Sequence, residues 1–290
     1  MKKYIPENPL IMFWKKKNKN KKLNPKNIKQ DMEFVLDYAV KTDTGLVRTN
    51  NEDAVKCINF NDEEKGFLAI VADGMGGHKS GEVASQMAVD ILPDFYFESK
   101  GKNPDILNEA FQKTNTEILK KSHSNSIYSG MGTTCTAAII IKNKLHFAHV
   151  GDSRLYLFRD KKLIQLSKDQ TLMQKMIDEG SLTKKDAINY PQKNIIWQAM
   201  GTTKSLDVQI NKSPLILKEH DRLLLCSDGL TDLVSDLEIK QILQLNSLNM
   251  VTNCLIALAK DKGGYDNIST ILIEINKSKR EFEKRDTREF

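Results

Sequence analysis

Cysteine is scarce in this sequence, four residues in 290, and no two form a Cys-x-x-Cys pair. Cys57, Cys135, Cys226 and Cys254 are widely spaced, and Cys226 and Cys254 fall on apolar faces. The pattern reads as reduced, buried thiols in a cytoplasmic protein. Long hydrophobic runs are missing too: no apolar stretch approaches the roughly 20 residues that span a bilayer. The nearest, Pro9-Leu10-Ile11-Met12-Phe13-Trp14, runs into lysines without a small-residue cleavage site and is not a secretory signal. A basic face is also absent from the body of the chain. The net charge of +6 comes from residues 1–30, where ten lysines meet the single acid Glu7, leaving the other 260 residues at about −3. A nucleic-acid binder spreads Lys and Arg over a folded face with interleaved aromatics, so no nucleic-acid partner is expected.

What is present is enough for one substantial core, since 40% of the 290 residues are hydrophobic. The chain divides into a basic tail over residues 1–31, a single domain over 32–276 and a charged tail over 277–290. The first tail is too polar to fold alone. Its Phe13-Trp14 knob and following lysines form a weak contact for an anionic membrane surface.

Within the domain, strands are expected at 34–40, 54–60 and 66–72, and helices at 83–92 and 106–118. A β-meander follows at 133–141, 145–150, 154–158 and 162–166, its short turns implying antiparallel pairing throughout. Residues 169–200 are polar and mixed, consistent with a mobile flap. A strand near 208–210, a strand over 223–226, helices at 237–245 and 250–260, and a strand at 268–275 complete the pattern. Antiparallel strands with helices arriving in pairs predict an α+β fold: a four-layer sandwich of two antiparallel β-sheets flanked by antiparallel helix pairs.

One construction occurs twice. The run Gly66-Phe67-Leu68-Ala69-Ile70-Val71-Ala72 drives into Asp73-Gly74, and Leu223-Leu224-Leu225-Cys226 drives through Ser227 into Asp228-Gly229. A single Asp-Gly is a common turn; two, each delivered by an apolar strand, make coincidence a poor explanation. With Asp53 and Asp266, four acids stand at strand ends or in glycine-rich loops. Carboxylates gathered without thiols or a paired-His motif select hard cations such as Mg2+ or Mn2+. Two such ions roughly 3.5 to 4 Å apart hold a bridging hydroxide for in-line attack on phosphorus, which points to phosphoester hydrolysis. Arg48 offers the planar fork that grips phosphate oxygens.

Six segments in order, Arg48-Thr49-Asn50-Asn51-Glu52-Asp53, Asp73-Gly74-Met75-Gly76-Gly77, Gly130-Met131-Gly132-Thr133-Thr134, Gly151-Asp152-Ser153-Arg154, Ser227-Asp228-Gly229-Leu230-Thr231-Asp232 and Asp266-Asn267, resemble the motif series of metal-dependent Ser/Thr protein phosphatases. This is the PPM or type-2C family, and its bacterial branch fits best. The resemblance implies that Asp73 bridges two ions, that the Gly74 carbonyl ligates one, and that Asp228 and Asp266 sit on the first. It places Glu52 and Asp53 on metal-bound waters, with Asn267 supporting, and Arg48 on the phosphate. It gathers Asp152, Asp228 and Asp232 around a weaker third ion. The implied partners are phosphorylated proteins and a cognate Ser/Thr kinase, for a monomeric enzyme. The alternative is a regulatory module that binds phosphoproteins with little turnover; lost ligands would mark it, and every core ligand position is filled.

Three departures from the family pattern stand out. Met75 follows Asp-Gly where many eukaryotic members carry a His, which leaves the general acid unassigned; His78 is one candidate and a metal-bound water the other. Lys168-Asp169-Gln170-Thr171 replaces the usual Asp-His-Ser, and Gln198 stands where bacterial members often have Arg. His146 and His149 read as structural residues of a strand.

Overall fold

Strand β3 (Phe67–Met75) is apolar on both faces because it has a core on each side. Leu68, Ile70 and Ala72 point into one apolar cluster, and Phe67, Ala69 and Val71 into another. In the computed structural model, which describes residues 34–77, 80–101, 103–187, 190 and 194–277, this strand is central to a seven-stranded antiparallel sheet. Its order is β10 (Leu215–Ile216), β6 (Lys144–Val150), β5 (Cys135–Ile141), β3, β2 (Asp53–Asn59), with β4 (Gly132–Thr133) beside β3 and β9 (Gln209–Ile210) beside β6. The second sheet, also antiparallel, runs β1 (Phe34–Asp43), β12 (Ile268–Lys277), β11 (Arg222–Cys226), β7 (Arg154–Arg159), β8 (Lys162–Gln165).

Three apolar clusters separate four layers. Between the sheets lie Phe67, Phe147, Leu155, Leu223 and Ile273 with their neighbours. Helices α1 (Ser80–Glu98) and α2 (Asn103–Ser124) cover the outside of the seven-stranded sheet through Leu92, Tyr96, Leu107 and Phe111. Short α5 (Asp228–Thr231), α6 (Asp236–Ile242) and α7 (Leu248–Asp261) cover the five-stranded sheet through Leu230, Ile239 and Leu255. Each buried Leu, Ile or Phe contributes about 1.5–3 kcal/mol, so each layer is fastened by many small increments. The helix starts follow from capping: the Ser235 side chain and Glu238 form a reciprocal box at α6, and Ser247 accepts from Met250 at α7, which begins two residues before its apolar periodicity does.

The expected meander breaks at its centre. β6 and β7 do not pair; the connection Gly151-Asp152-Ser153 carries the chain from one sheet to the other. Three residues span about 10 Å, the spacing of packed sheets, so a short connection closes a corner as readily as a hairpin. Gly151 takes φ +104 at this corner, and Leu145 and Phe147 then meet Leu155 and Leu157 across the inter-sheet core. Elsewhere, residues 169–200 hold α3 (Leu172–Asp178) and α4 (Lys184–Ala187), where no regular element was expected. Only Cys135 and Cys226 are buried; Cys57, on edge strand β2, and Cys254, on α7, are half-buried. No helix among the described residues is long and apolar enough to cross a membrane. The expectations for residues 1–31, His78 and positions 278–290 lie outside the described residues.

Candidate active site

Asp53 and Asp73 are direct partners in the β2–β3 ladder. Cross-strand partners put their Cβ atoms about 5 Å apart on one face, where like charges oppose each other. Asp73 continues the row Phe67, Ala69, Val71 that faces the other sheet. From that sheet come Asp228, just beyond β11, and Asp266, just before its neighbour β12. The two strands that end in Asp-Gly therefore meet from opposite layers, and the charge of Asp228 acts on Asp73.

Both glycines are required by close packing. A Cβ on Gly74 would lie 2.1 Å from the Gly81 carbonyl oxygen and 2.6 Å from that of Glu52, and one on Gly229 would lie 2.0 Å from the Asn267 carbonyl oxygen. No side chain fits at such distances. Gly74 thus lets the start of α1 close against the end of β3, and Gly229 seats the second Asp-Gly against the loop that carries Asp266.

Burial drives the electrostatics. Loss of water pushes Asp53 up to about 7, against the pull of the Ser227 hydroxyl, which donates to its Oδ2 at 2.7 Å. Asp228 is pushed up to about 6 by burial and the neighbouring acids, and Asp73 and Asp152 stand well above the usual carboxylate range for the same reasons. Glu52 is raised as well, chiefly by burial. Two oxygens in this group, Asp53 Oδ1 and Asp228 Oδ1, are buried with no hydrogen-bond partner. Such atoms cost free energy unless something positive meets them, and hard divalent cations take oxygen ligands of this kind. The donor set of Asp73, Asp228, Asp266 and the Gly74 carbonyl, with Asp53 beside it, fits Mg2+ or Mn2+. Among the described residues no three acids converge on one point as they stand.

Arg48 Nη2 donates to Asp266 Oδ2 at 2.7 Å at the exposed rim. Asn267 ties this rim down: its Oδ1 accepts from the Glu52 amide at 2.7 Å, and its Nδ2 donates to the Thr44 and Asn50 carbonyls, both at 2.9 Å. Arg48, Glu52, Asp73, Gly74, Asp152, Asp228 and Asp266 line one cavity of about 420 Å3. Asp152 and Asp228 also line its neighbour of about 350 Å3, together with Asp232.

Several contributing residues carried no separate role in the sequence reading. Thr134 accepts from the Asp73 amide at 2.9 Å and bonds the Ser153 hydroxyl at 2.8 Å, tying β3 to the corner. Gln170 clamps that corner: its side-chain Oε1 accepts from the Gly151 backbone N–H at 3.0 Å, and its own backbone N–H donates to the Gly151 carbonyl at 2.7 Å. His149, expected from the sequence to be a structural residue of a strand, is one: its Nε2 donates to the same carbonyl at 3.0 Å, and its Nδ1 accepts from Thr136 at 2.8 Å. Burial lowers this imidazole to about 4, so it is a neutral strut. Arg154 grips Asp169 through two nitrogens at 3.0 and 2.7 Å. Asn194, whose Nδ2 reaches Asp232 Oδ2 at 2.6 Å, lines both cavities. Thr134, Ser153 and Arg154 were at least inside motif segments; Asn194 sits in a stretch with no periodicity to flag it.

Acids delivered from both sheets into one cleft beside a guanidinium define the site of a metal-dependent phosphoester hydrolase. The chain belongs to the protein phosphatase 2C family, whose sequence profile matches residues 47–267. It is 38% identical over 242 residues to the serine/threonine phosphatase Stp of Listeria innocua, covering 81% of this chain and 94% of that protein. The crystal structure of the Mycobacterium tuberculosis serine/threonine phosphatase PstP superposes with a TM-score of 0.75 at 37% identity, covering 83% of this chain and 99% of that one. A structure of the PstP catalytic domain in complex with two manganese ions matches with a TM-score of 0.71 at 36% identity, covering 84% and 99%. The α+β sandwich is thus the fold of bacterial PPM phosphatases.

Proposed function

We infer that this chain is a protein serine/threonine phosphatase that hydrolyses phosphoserine and phosphothreonine side chains of other proteins. The observation that carries the reading is the pair of orphaned buried carboxylate oxygens, Asp53 Oδ1 and Asp228 Oδ1, in an acid cluster fed by both sheets. An acid cluster of this kind has nothing to hold but a cation, and the family is metal-dependent. Asp73, Asp228, Asp266 and the Gly74 carbonyl would hold two core ions, Mn2+ or Mg2+, with Glu52 and Asp53 acting through bound water. Bound divalent cations supply an activated water and neutralise charge on the phosphoryl group. Arg48 swings its guanidinium from Asp266 to the phosphate oxygens, a short move for a side chain already at the cavity rim. Asn267, holding the Glu52 amide and two neighbouring carbonyls, keeps that rim from following. Asp152, on the corner that Gln170 and His149 make rigid, would add a weaker third site with Asp228 and Asp232.

The catalytic unit is residues 32–276, with 1–31 dispensable for soluble substrates, and a cognate Ser/Thr kinase supplies the phosphoproteins. The test is hydrolysis of a phosphothreonine peptide with Mn2+, with Mg2+ and with EDTA. Turnover with either ion that chelation abolishes supports the reading, and full activity in excess EDTA refutes it. A binding module without turnover would leave the peptide intact in all three.

A further inference from the structure

Next to the phosphate-gripping Arg48 the chain exposes apolar side chains that the reaction does not use. Leu46, Val47 and Tyr265 are 62%, 61% and 63% exposed, among the largest values for large apolar side chains among the described residues. They form one patch. The Leu46 amide donates to the Gly264 carbonyl at 2.8 Å, and Arg48 meets Asp266 at 2.7 Å, so segments 46–48 and 264–266 run side by side. Exposure here does not mean looseness. Leu46 Cγ lies 3.1 Å from where a Cβ on Gly264 would be, and the Tyr265 ring folds back over Gly263, its Cζ 2.4 Å from the corresponding point. Asn267 bonds the carbonyls of Thr44 and Asn50 on either side of the patch. The side chains are thus apolar anchors on a fixed backbone, arranged before any partner arrives. Exposed apolar groups held in this way are what binding surfaces present.

We propose that Leu46, Val47 and Tyr265 form a docking platform for the polypeptide flanking the phosphorylated residue, selecting phosphoproteins with a large apolar side chain near the phosphate. The proposal rests on the phosphatase reading and adds a substrate class to it. The occupant follows from continuity with the cleft. Val47 and Leu46 are one and two residues from Arg48, about 4 and 7 Å of chain, and an extended substrate advances about 3.3 Å per residue. Tyr265 adjoins Asp266 in the same way. A phosphate held at Arg48 therefore places positions one to three residues from the phosphoresidue over the platform. A rigid tyrosine and two aliphatic side chains reward an apolar residue there and give little to a charged one.

The experiment compares two phosphothreonine peptides, identical except for Leu or Glu at the positions flanking phosphothreonine, with p-nitrophenyl phosphate as a substrate too small to reach the platform. Wild-type protein with Mn2+ is expected to prefer the Leu peptide by roughly tenfold in kcat/KM, chiefly through KM. Tyr265→Ser, and separately Leu46→Ser with Val47→Ser, should erase that preference and leave p-nitrophenyl phosphate kinetics and the melting temperature unchanged. If the double substitution fails to fold, Tyr265→Ser alone decides, because its ring is largely in solvent. Binding of a fluorescent peptide carrying a non-hydrolysable phosphonate should weaken in parallel. Turnover of p-nitrophenyl phosphate without a flank preference overturns the platform alone. No turnover of any substrate overturns the phosphatase reading instead. A dimer seen by sedimentation that Tyr265→Ser abolishes would give the patch to a second copy of the chain and overturn the proposal.

Discussion

Strand β11 carries buried charge at both of its ends, and the two ends handle it differently. At the start, Asp221 accepts from Arg159 Nε at 2.8 Å and from the Lys218 amide at 2.6 Å. Its neighbour Arg222 donates to Glu274 at 2.9 Å and to the Leu243 carbonyl at 2.7 Å, at the C-terminal end of α6. Every charge there has an opposite charge or a helix-end carbonyl beside it. At the finish, Asp228 meets Asp73 and other acids, and its Oδ1 meets nothing. Five residues separate a finished electrostatic arrangement from one left open. The open end is the one that faces the cavities. A fold that neutralises its own buried charge is using it for structure, and one that leaves carboxylates crowded has reserved them for a cation.

Substitutions at the two ends should therefore part company. Asp73→Asn at the open end removes the shared acid and with it several kcal/mol of charge stabilisation, so turnover of p-nitrophenyl phosphate should fall by about a thousandfold or more. The melting temperature of the EDTA-treated variant should rise, because one crowded carboxylate is gone. A variant that loses both activity and stability would make Asp73 structural and erase the contrast. Asp221→Ala at the closed end should do the reverse. It leaves Arg159 with only the Ile216 carbonyl and the Lys218 amide without its acceptor and costs about 3 kcal/mol, read by urea unfolding, while turnover per folded molecule stays at the wild-type value.

Arg48→Ala sharpens the contrast further, since Arg48 pairs with Asp266 at the rim of the open end. It should lower kcat/KM for a phosphopeptide by about 10- to 100-fold, the worth of a charge-assisted contact. Affinity for Mn2+, measured by calorimetry, should hold or increase because Asp266 is released. Unchanged kinetics would leave Arg48 a surface cation.

The open end was the more legible of the two in the sequence. An apolar run that stops at Asp-Gly states its own termination, and the second copy at Asp228 repeats it. Helices α1, α2 and α7 were equally plain from their apolar period. The closed end was silent, because Arg159–Asp221 and Arg222–Glu274 join residues 62 and 52 apart, and nothing local encodes such pairs. The pairing of Arg48 with Asp266, 218 residues apart, was hidden for the same reason. The corner at Gly151 was misjudged because β6 and β7 are apolar on both faces, so alternation cannot say whether a short connection folds a strand back beside its neighbour or across to the opposite sheet. β10 is two residues long, too short for any period, whereas β9, Gln209–Ile210, falls within the strand expected near 208–210. Asn194 and Gln170 act through backbone and side-chain contacts that only the assembled fold creates.

The smallest effect is the dependence of stability on pH, and its sign separates the two kinds of buried group. Asp53 and Asp228 rise from an unfolded value near 3.8 to about 7 and about 6. A carboxyl whose folded value is raised contributes stability that is fully present below its unfolded value and lost as pH climbs through the folded one. Between about pH 4 and 7 the folded, metal-free protein therefore holds more protons at this end than the unfolded chain, and stability falls as pH rises. His149 runs the other way: lowered from 6.5 to about 4, it is fully stabilising above pH 6.5 and loses that contribution as pH falls towards 4. Subtracting one melting curve from another isolates the acids. EDTA-treated wild type should lose melting temperature relative to Asp228→Asn as pH goes from 5 to 7.5, because the variant lacks one of the protons that must leave. Mn2+ should reverse the trend, since ligands have to shed protons to bind it and affinity grows with pH through the same window. Parallel curves for the two proteins would mean that the cleft acids are ionised in the folded state at pH 5. The difference between the two ends of β11 would then lie in geometry alone.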